Sequence, residues 1–374
     1  MYRRLYLYGS RIHVHIFRRY IGVITARNLA QKLNLSPSAV SLALNGRQGV
    51  SESTRQRVLE EARRAGYTGT RGRHDELSKE ESPRVIRYVI FLESGMAVSE
   101  TSFYSIVLQG IEPKAKELGF NVLVSYFNAQ EDWISQLEVL EKDVSGVILL
   151  ATEVRDEHIR KFMNLNRQHT DLPACFVDNA TSLIDIDSVV SDNLRGAHMA
   201  TSYLLNKGFS DVGYLRSKTR IDNFDEREAG VRKARCEYGI PDCRSLSTIS
   251  VSSSSEQAYQ DMCDALSNGI KPERAYFADN DIIAAACIRA LKSHGYRVPE
   301  DVSVIGFDDM PLSTLFEPPL TTIRVEKELL GKVAMKLLGM RIEQHESLFG
   351  EHKPAAAFRV TVSARMIERG SVMR

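Results

Sequence analysis

Two close acidic pairs, Asp308 with Asp309 and Asp279 with Asp281, are the groupings in this 374-residue chain whose type and spacing suit acid–base work. Alone they are a weak signal. Neither a phosphate-cradling G-x-x-x-x-G-K-[ST] loop nor a G-x-S-x-G nucleophile elbow accompanies them. The five cysteines (Cys175, Cys236, Cys243, Cys263, Cys287) are odd in number, form no C-x-x-C pair and have no His at ligand spacing. They read as free thiols of a reducing compartment, and neither metal nor cofactor is expected. A different chemistry is written near the N-terminus. Ser38, Ser41, Leu42 and Asn45 share one helical face, and hydroxyl, amide and methyl groups so spaced can meet base edges in a DNA groove.

That face needs a scaffold, and residues 23–67 supply one. Thr25 is a good N-cap for a helix carrying Leu29, Ala30 and Leu33, and Asn34 tolerates the left-handed position that ends it. Ser36 caps a second helix whose first position holds Pro37, and this helix buries Val40 and Leu44. A third starts after Ser51 with Val58, Ala62 and Ala65 on one side, and Gly66 stops it. Two helices joined by a three-residue turn make a helix-turn-helix, with the second helix free to enter the major groove. A helical bundle packed against the rest of the protein would have an apolar outer face and no charge bias; this one is polar and basic.

Charge divides the chain the same way. Residues 1–74 carry fourteen Arg and Lys against three acids, or +11, while the rest carries thirty-five against forty-five, or −10. A basic head on an acidic body points to a polyanionic partner for the head. Five of the head's positive charges fall in residues 1–22, a stretch without acids or a continuous apolar core. It does not read as a secretory signal. A transit peptide or a basic nucleic-acid arm fits its composition; the favoured reading is an upstream extension, with the protein proper starting at Val23. No apolar run approaches the roughly 18 residues of a membrane span, so no membrane partner is expected.

From residue 85 onward, short apolar runs alternate with helical stretches. Strands are predicted at Val85–Leu92, Asn121–Tyr126, Val147–Leu150, Ala174–Val177, Val212–Leu215, Ala275–Ala278 and Val302–Phe307. Helices are predicted between them, among others at Tyr104–Leu118, Leu194–Leu205, Ile282–His294 and Lys327–Leu338. Such alternation means parallel sheets covered by helices, and this many strands predicts two lobes with a ligand cleft beyond the strands' carboxyl ends.

The run T-A-R-N-L-A-Q-K-L-N-L-S-P-S-A-V-S-L-A-L-N-G (25–46), followed by V-S-E-S-T-R-Q-R-V-L-E-E-A-R-R-A-G-Y (50–67), resembles the headpiece of the lactose-repressor (LacI/GalR) family of bacterial regulators. The resemblance continues in S-D-N-L-R-G-A-H-M-A-T-S-Y-L-L-N-K-G-F (191–209), A-D-N-D-I-I-A-A-A (278–286), V-P-E-D-V-S-V-I-G-F-D-D (298–309) and P-L-T-T-I (319–323), covering about 23–371. It implies an all-α helix-turn-helix headpiece followed by an α/β two-lobed, periplasmic-binding-protein-like (type I) effector domain. Its boundaries would be an extension at 1–22, head at 23–67, linker at 68–83 and body at 84–374. The chain would cross between lobes near 190, 320 and 353.

By the same resemblance, Pro37, Ser38 and Leu42 read bases, and Thr25, Ser36, Ser41 and Asn45 hold phosphates. Leu42 stands where many members have Arg or His, so contact with a thymine methyl replaces guanine readout. The linker, T-G-T-R-G-R-H-D-E-L-S-K-E-E-S-P, lacks the family's helical pattern. Leu77 is its one candidate minor-groove wedge, Arg71 and Arg73 supply phosphate attraction, and a flexible linker is the competing reading.

For the effector, the resemblance points to an aromatic platform at Phe103 and Tyr104 and to polar contacts from Asp178, Asp192, Asn223, Arg227, Asp281 and Asp308, with Phe277 closing a wall. Aromatic faces suit a pyranose, and charged groups suit its hydroxyls. Each residue also has a structural reading, as core for the aromatics and as helix or turn caps for Asp281 and Asp308. The implied protein is a cytoplasmic, nucleoid-associated homodimer on a near-palindromic operator in double-stranded DNA, most readily a repressor. A sugar or sugar derivative is the expected effector, although purines and protein co-regulators also serve the family. The dimer face is expected at 85–120 with 323–340. The alternatives are a solute-binding protein, for which no export signal is seen, and an α/β enzyme, for which no catalytic motif is seen.

Overall fold

The computed structural model of the chain describes residues 26–44, 49–64, 84–95, 102–165, 172–240, 245–347 and 356–373. Thr25, Asn45, the 1–22 stretch and the 68–83 linker with Arg71, Arg73 and Leu77 lie outside the described residues. The chain divides into two compact units, Met1–Glu80 and Glu81–Arg374.

In the first unit, helices α1 (Ala26–Leu33), α2 (Pro37–Leu44) and α3 (Glu52–Arg64) surround a small core of Leu29, Ala30, Val40, Ala43, Val58 and Ala62. Asn34 ends α1 with φ 55°. Ser36 caps α2, its Oγ accepting the Ala39 N–H at 3.1 Å, and Ser51 caps α3 by accepting the Thr54 N–H at 3.2 Å. These local contacts satisfy backbone donors that a short helix leaves open. Ala43 is buried and Leu44 only half-buried, a small departure from the expected core face. Pro37, Ser38 and Ser41 are exposed, and Leu42 is half-buried.

The second unit contains two six-stranded sheets. Lobe 1 is built on β1 (Arg84–Leu92), β2 (Phe120–Asn128), β3 (Gly146–Leu150), β4 (Ala174–Val177), β5 (Asp187–Ser191) and β11 (Arg359–Val362), in the order β11-β5-β4-β3-β1-β2. Lobe 2 is built on β6 (Gly213–Ser217), β7 (Thr248–Val251), β8 (Ala275–Ala278), β9 (Ser303–Asp308), β10 (Thr321–Arg324) and β12 (Arg365–Ile367), in the order β12-β10-β9-β8-β6-β7. All pairings are parallel except β10 with β12. Covered on both faces, the inner strands are continuous apolar runs; A-Y-F-A of β8 is buried throughout.

The connecting helices are α4 (Phe103–Glu117), α5 (Trp133–Glu141), α6 (Asp156–Leu165), α7 (Asn193–Asn206), α8 (Asp222–Glu237), α9 (Ser255–Ser267), α10 (Asp281–Ser293) and α11 (Lys327–Ser347). The chain passes between sheets three times: after β5, after β10 and between β11 and β12. The third passage, at 362–365, falls about ten residues beyond the expected 353, because β11 and β12 extend the two sheets on either side of it.

Cys175 and Cys287 are buried free thiols and Cys263 is a free, partly exposed one, but Cys236 is disulfide-bonded. This corrects the expectation of five free thiols; scattered spacing says nothing of which cysteines the fold brings together. Among the described residues no helix is long and apolar enough to cross a membrane.

Candidate functional site

Strand order fixes where a ligand can enter. In each lobe the order turns back beside its first strand, between β1 and β3 and between β6 and β8, and the loops leaving those strands diverge there. The diverging loops are Glu93–Gly95 after β1, Thr152–Arg155 after β3, Lys218–Ile221 after β6 and Asp279–Asp281 after β8. They converge on a cavity of about 430 Å³ whose lining includes Glu93, Glu153, Arg155, Lys218, Arg220 and Asn280. That volume lies within the range of roughly 300–1,000 Å³ common for small-molecule sites.

The charged side chains around this cavity are partnered. Arg155 pairs with Glu93 and, at 2.8 Å, with Glu157; Lys218 reaches Asp261 at 2.8 Å; Arg220 reaches Asp279 at 2.6 Å and Asp225 at 2.9 Å. Glu153, 3% exposed, accepts the N–H groups of Glu93, Ser94 and Gly95 at 2.7, 3.0 and 3.2 Å and so shapes the β1 loop. Glu93, Glu157 and His158 stand close enough to share a metal ion. Their hydrogen bonds argue otherwise. His158 Nδ1 accepts the Arg155 N–H at 3.0 Å, which leaves the ring proton on Nε2 facing Glu93 at 3.6 Å, and the Arg155 guanidinium bridges both glutamates.

Deeper between the lobes lies a second, drier cluster. Arg227, on the second turn of α8 and 3% exposed, donates from Nε to Asn193 Oδ1 at 3.0 Å, from Nη1 to the Asp279 carbonyl at 2.6 Å and from Nη2 to Asp308 Oδ1 at 3.1 Å. Its guanidinium also lies over the Phe307 ring, 3.8 Å from the centroid. Asp178, at the end of β4 with φ 68°, accepts the Thr152 hydroxyl at 2.7 Å. Burial pushes its carboxyl up to about 7, against the pull of Thr152, Arg227 and an Asn223 hydrogen bond. Asn223 in turn accepts from Asn193 Nδ2 at 3.1 Å.

Asp281 accepts the Met310 N–H at 2.8 Å and the Thr322 hydroxyl at 2.5 Å. Burial, with the Asp308 charge beside it, raises it to about 8. Burial also raises Asp279 to about 6 although Arg220 opposes the shift. Perturbed, convergent groups of this kind mark binding sites more often than plain surface does.

The structure thus brings Asp178, Asn223, Arg227, Asp281 and Asp308 together, and places Phe103 beside them, half-buried, with the Lys327 ammonium 5.9 Å from its ring centroid. Tyr104 is half-buried against the lobe 1 core, where its carbonyl accepts the Tyr88 hydroxyl. Two expectations need correction. Asp192 points to its own helix, capping α7 through the Arg195 N–H at 3.2 Å, while its neighbour Asn193 turns inward to Arg227. Phe277 is wholly buried, stacked on Tyr214 at 6.0 Å and edge-on to Phe307 at 6.1 Å, so it has no face for a ligand. The cap of α10 is Asn280, which accepts the Ile283 N–H at 2.9 Å, and not Asp281.

Asn193, Lys327 and the cavity residues Glu93, Glu153, Arg155, Lys218 and Arg220 were missed from sequence. For five of them the signal was position: Glu93, Glu153, Arg155, Lys218 and Arg220 lie within five residues of the end of a predicted strand, where such a cleft must be lined.

Residues 201–372 match the family described as a periplasmic binding protein-like domain. The chain is 28% identical over 354 residues to the HTH-type transcriptional repressor PurR of Mannheimia succiniciproducens, covering 94% of this chain and 99% of that protein. It is likewise 28% identical to the repressor PurR of Vibrio parahaemolyticus, over 90% and 98%. Among solved structures, the regulator CelR in complex with cellobiose aligns with a TM-score of 0.64 at 23% identity, over 93% of this chain and 99% of that one. The lac repressor dimer bound to operator and the anti-inducer ONPF aligns with 0.62 at 22%, over 94% and 100%.

Proposed function

Because this chain belongs to the lactose-repressor (LacI/GalR) family of transcriptional regulators, we propose that it is a dimeric, sequence-specific repressor whose grip on DNA is set by a small molecule held between its lobes. In this reading residues 23–67 are a helix-turn-helix head, 68–83 a linker and 84–374 the effector and dimerisation body. The exposed polar face of α2, with Pro37, Ser38 and Ser41 outermost and Leu42 at its edge, enters the major groove. Thr25, Ser36, Ser41 and Asn45 serve the backbone. The basic head supplies attraction, and the nearly uncharged face supplies choice.

The observation that carries the reading is the convergence of both lobes' switch-point loops on one cavity, with the buried cluster of Arg227, Asp178 and Asp308 joined to the β8 loop through the Asp279 carbonyl. Lobes joined by three strands of chain can close on a ligand and alter the spacing of two heads, which is regulation by unequal affinity for two arrangements. The effector is a sugar or sugar derivative: the lining offers hydroxyls, amides and paired charges suited to ligand hydroxyls, and of its side chains one, Phe224, is aromatic. The protein acts in the cytoplasm, on a near-palindromic site matching its two-fold symmetry. Its dimer face is formed by residues 85–120 with 323–340, next to the edge strand β2, where Leu123, Val124 and Tyr126 are exposed.

Footprinting the full chain on the DNA upstream of its own gene, with and without sugars chosen by a thermal-shift screen, tests the proposal. A protected palindrome whose occupancy changes with one sugar is expected. Failure to protect any sequence, with sugar binding retained, would favour a solute-binding protein; turnover of a sugar would favour an enzyme.

A further inference from the structure

At the second passage between lobes, β9, β10 and the start of α11 meet in a knot of unusual backbone. Asp308 and Asp309, consecutive and neither of them glycine, have φ of 105° and 51°. Two such residues in succession persist only where their surroundings over-determine them. From lobe 2, Arg227 holds the Asp308 carboxylate at 3.1 Å, while Arg324 and Arg369 hold the Asp309 carboxylate at 2.6 Å each. The main chain is held from the other side. Lys327, first residue of α11 and 4% exposed, donates from Nζ to the carbonyl of Asp308 and lies 3.4 Å from that of Asp309 and 3.5 Å from that of Val325.

A buried ammonium is unusual, and this one spends its donors on backbone carbonyls that the left-handed turn aims at a single point. The helix it begins packs in lobe 1, against α4 and beside β3, β4 and β5, whereas the turn belongs to lobe 2. Phe103 of lobe 1 lies 5.9 Å from the same ammonium. One side chain therefore bridges the end of a lobe 2 strand and the start of a lobe 1 helix, at a point where the chain passes between them.

We propose that Lys327 is a positioning residue that pins the strained Asp308-Asp309 turn to the first turn of α11, so that the hinge at this passage sets where Asp308, and through it Arg227, stand between the lobes. That these two residues serve an effector rests on the function proposed above; the pin itself does not. With the ammonium gone, the turn loses the contact that ties it to lobe 1, and hinge and turn loosen together while each lobe's sheet stays intact.

Hydrogen exchange followed by mass spectrometry on the full chain, without ligand, tests this. Lys327→Met is expected to speed exchange about tenfold in peptides covering 306–312 and 324–329, while peptides within β1 and β8 keep their protection. Lys327→Arg, which can still donate to several carbonyls, is expected to restore slow exchange. If Lys327→Met does not fold, Lys327→Gln is measured with the same reading. Unchanged exchange in both hinge peptides would overturn the proposal, as would a uniform rise across both sheets that Lys327→Arg does not reverse. Because no effector enters the experiment, its failure leaves the effector reading standing, and failure of the sugar screen leaves the pin standing.

Discussion

Arg227 and Asp308 form an ion pair 3.1 Å long in which the arginine side chain is 4% exposed and the aspartate 12%. They lie 81 residues apart in sequence, on α8 and at the end of β9. A pair this dry does not stabilise by attraction alone, since removing two charges from water costs about as much as their attraction returns. Its value lies in direction: the guanidinium also reaches Asn193 and the Asp279 carbonyl, so three loops are set by one side chain.

Arg227→Ala should therefore do more than abolish the response to an effector. It leaves Asp308 buried without its partner, which costs about 3–5 kcal/mol where a buried pair is broken. Arg227→Lys is the sharper test, keeping the charge but losing the planar fork. Chemical denaturation should show a smaller loss than for alanine, while the effector's influence on operator binding is lost with basal DNA binding retained. A lysine variant that responds fully would remove Arg227 from the site.

Much of this arrangement was legible in the sequence. Ser36, Pro37, Asn34 and Ser51 act within a few residues of themselves, and local rules place them. The inner strands announce themselves because burial on both faces demands unbroken apolar runs. β5 (D-S-V-V-S) and β7 (T-I-S-V) escape notice since they are short and half polar. In the buried cluster, the resemblance named residues that the fold brings together but could not choose between neighbours: Asp192 and Asn193 differ by one position, and only the start of α7 decides which faces Arg227. Phe277 misleads for a related reason, because a strand covered on both faces hides a side chain that a half-exposed strand would present.

Stability should depend on pH through Asp281. Its carboxyl lies at about 8 in the folded chain against an ordinary 3.8, so the folded state holds a proton that the unfolded state has released. This contribution is complete below about 4 and is lost as pH rises toward about 8, so stability falls across that window and then levels. Asp178, at about 7, and Asp279, at about 6, act in the same direction over narrower windows. Asp281→Asn keeps an acceptor for the Met310 N–H and can donate to Thr322. Urea titrations should show it more stable than the parent at pH 8.5 by more than about 1.4 kcal/mol, the worth of one pKa unit, with the difference shrinking below pH 5. A difference independent of pH would contradict the raised carboxyl.

Helices α4 and α11 approach through two glycines. A Cβ on Gly110 would stand 1.9 Å from the Glu328 carbonyl oxygen, and one on Gly331 would stand 2.1 Å from that of Val107. Backbone cannot give way as a side-chain tip can, so either alanine must push the helices apart. Gly110→Ala and Gly331→Ala should each cost at least the roughly 1–3 kcal/mol typical of overpacking, despite the better helix propensity of alanine. Thermal melts of the two variants check this; an unchanged or raised melting temperature would show the crossing to be looser than described.

The head's small core makes it separable from the body. Leu29 is 1% exposed and packs with five other buried residues, so Leu29→Ala should cost about 2–5 kcal/mol. A unit this small has little stability to spare. DNA binding should vanish while effector binding and the main unfolding transition of the body persist, as calorimetry and a filter-binding assay would show. Loss of both functions together would mean that the two units do not fold independently.

Leu42 is the position where base choice should be changeable. It is half-buried, with its Cδ1 close to Gly49, so part of its surface is spent inside the head and part is left for the groove. An arginine there can extend past that contact and place two donors on guanine O6 and N7, which is worth about 1–3 kcal/mol of discrimination. Leu42→Arg should shift preference at one position of each half-site toward guanine. Added positive charge also raises attraction to any DNA, so the informative quantity is the ratio between sequences and not affinity itself. A binding array across all substitutions of the footprinted site separates the two. Tighter binding to every sequence by the same factor would take Leu42 out of base recognition; a change confined to one symmetric pair of positions would place it there.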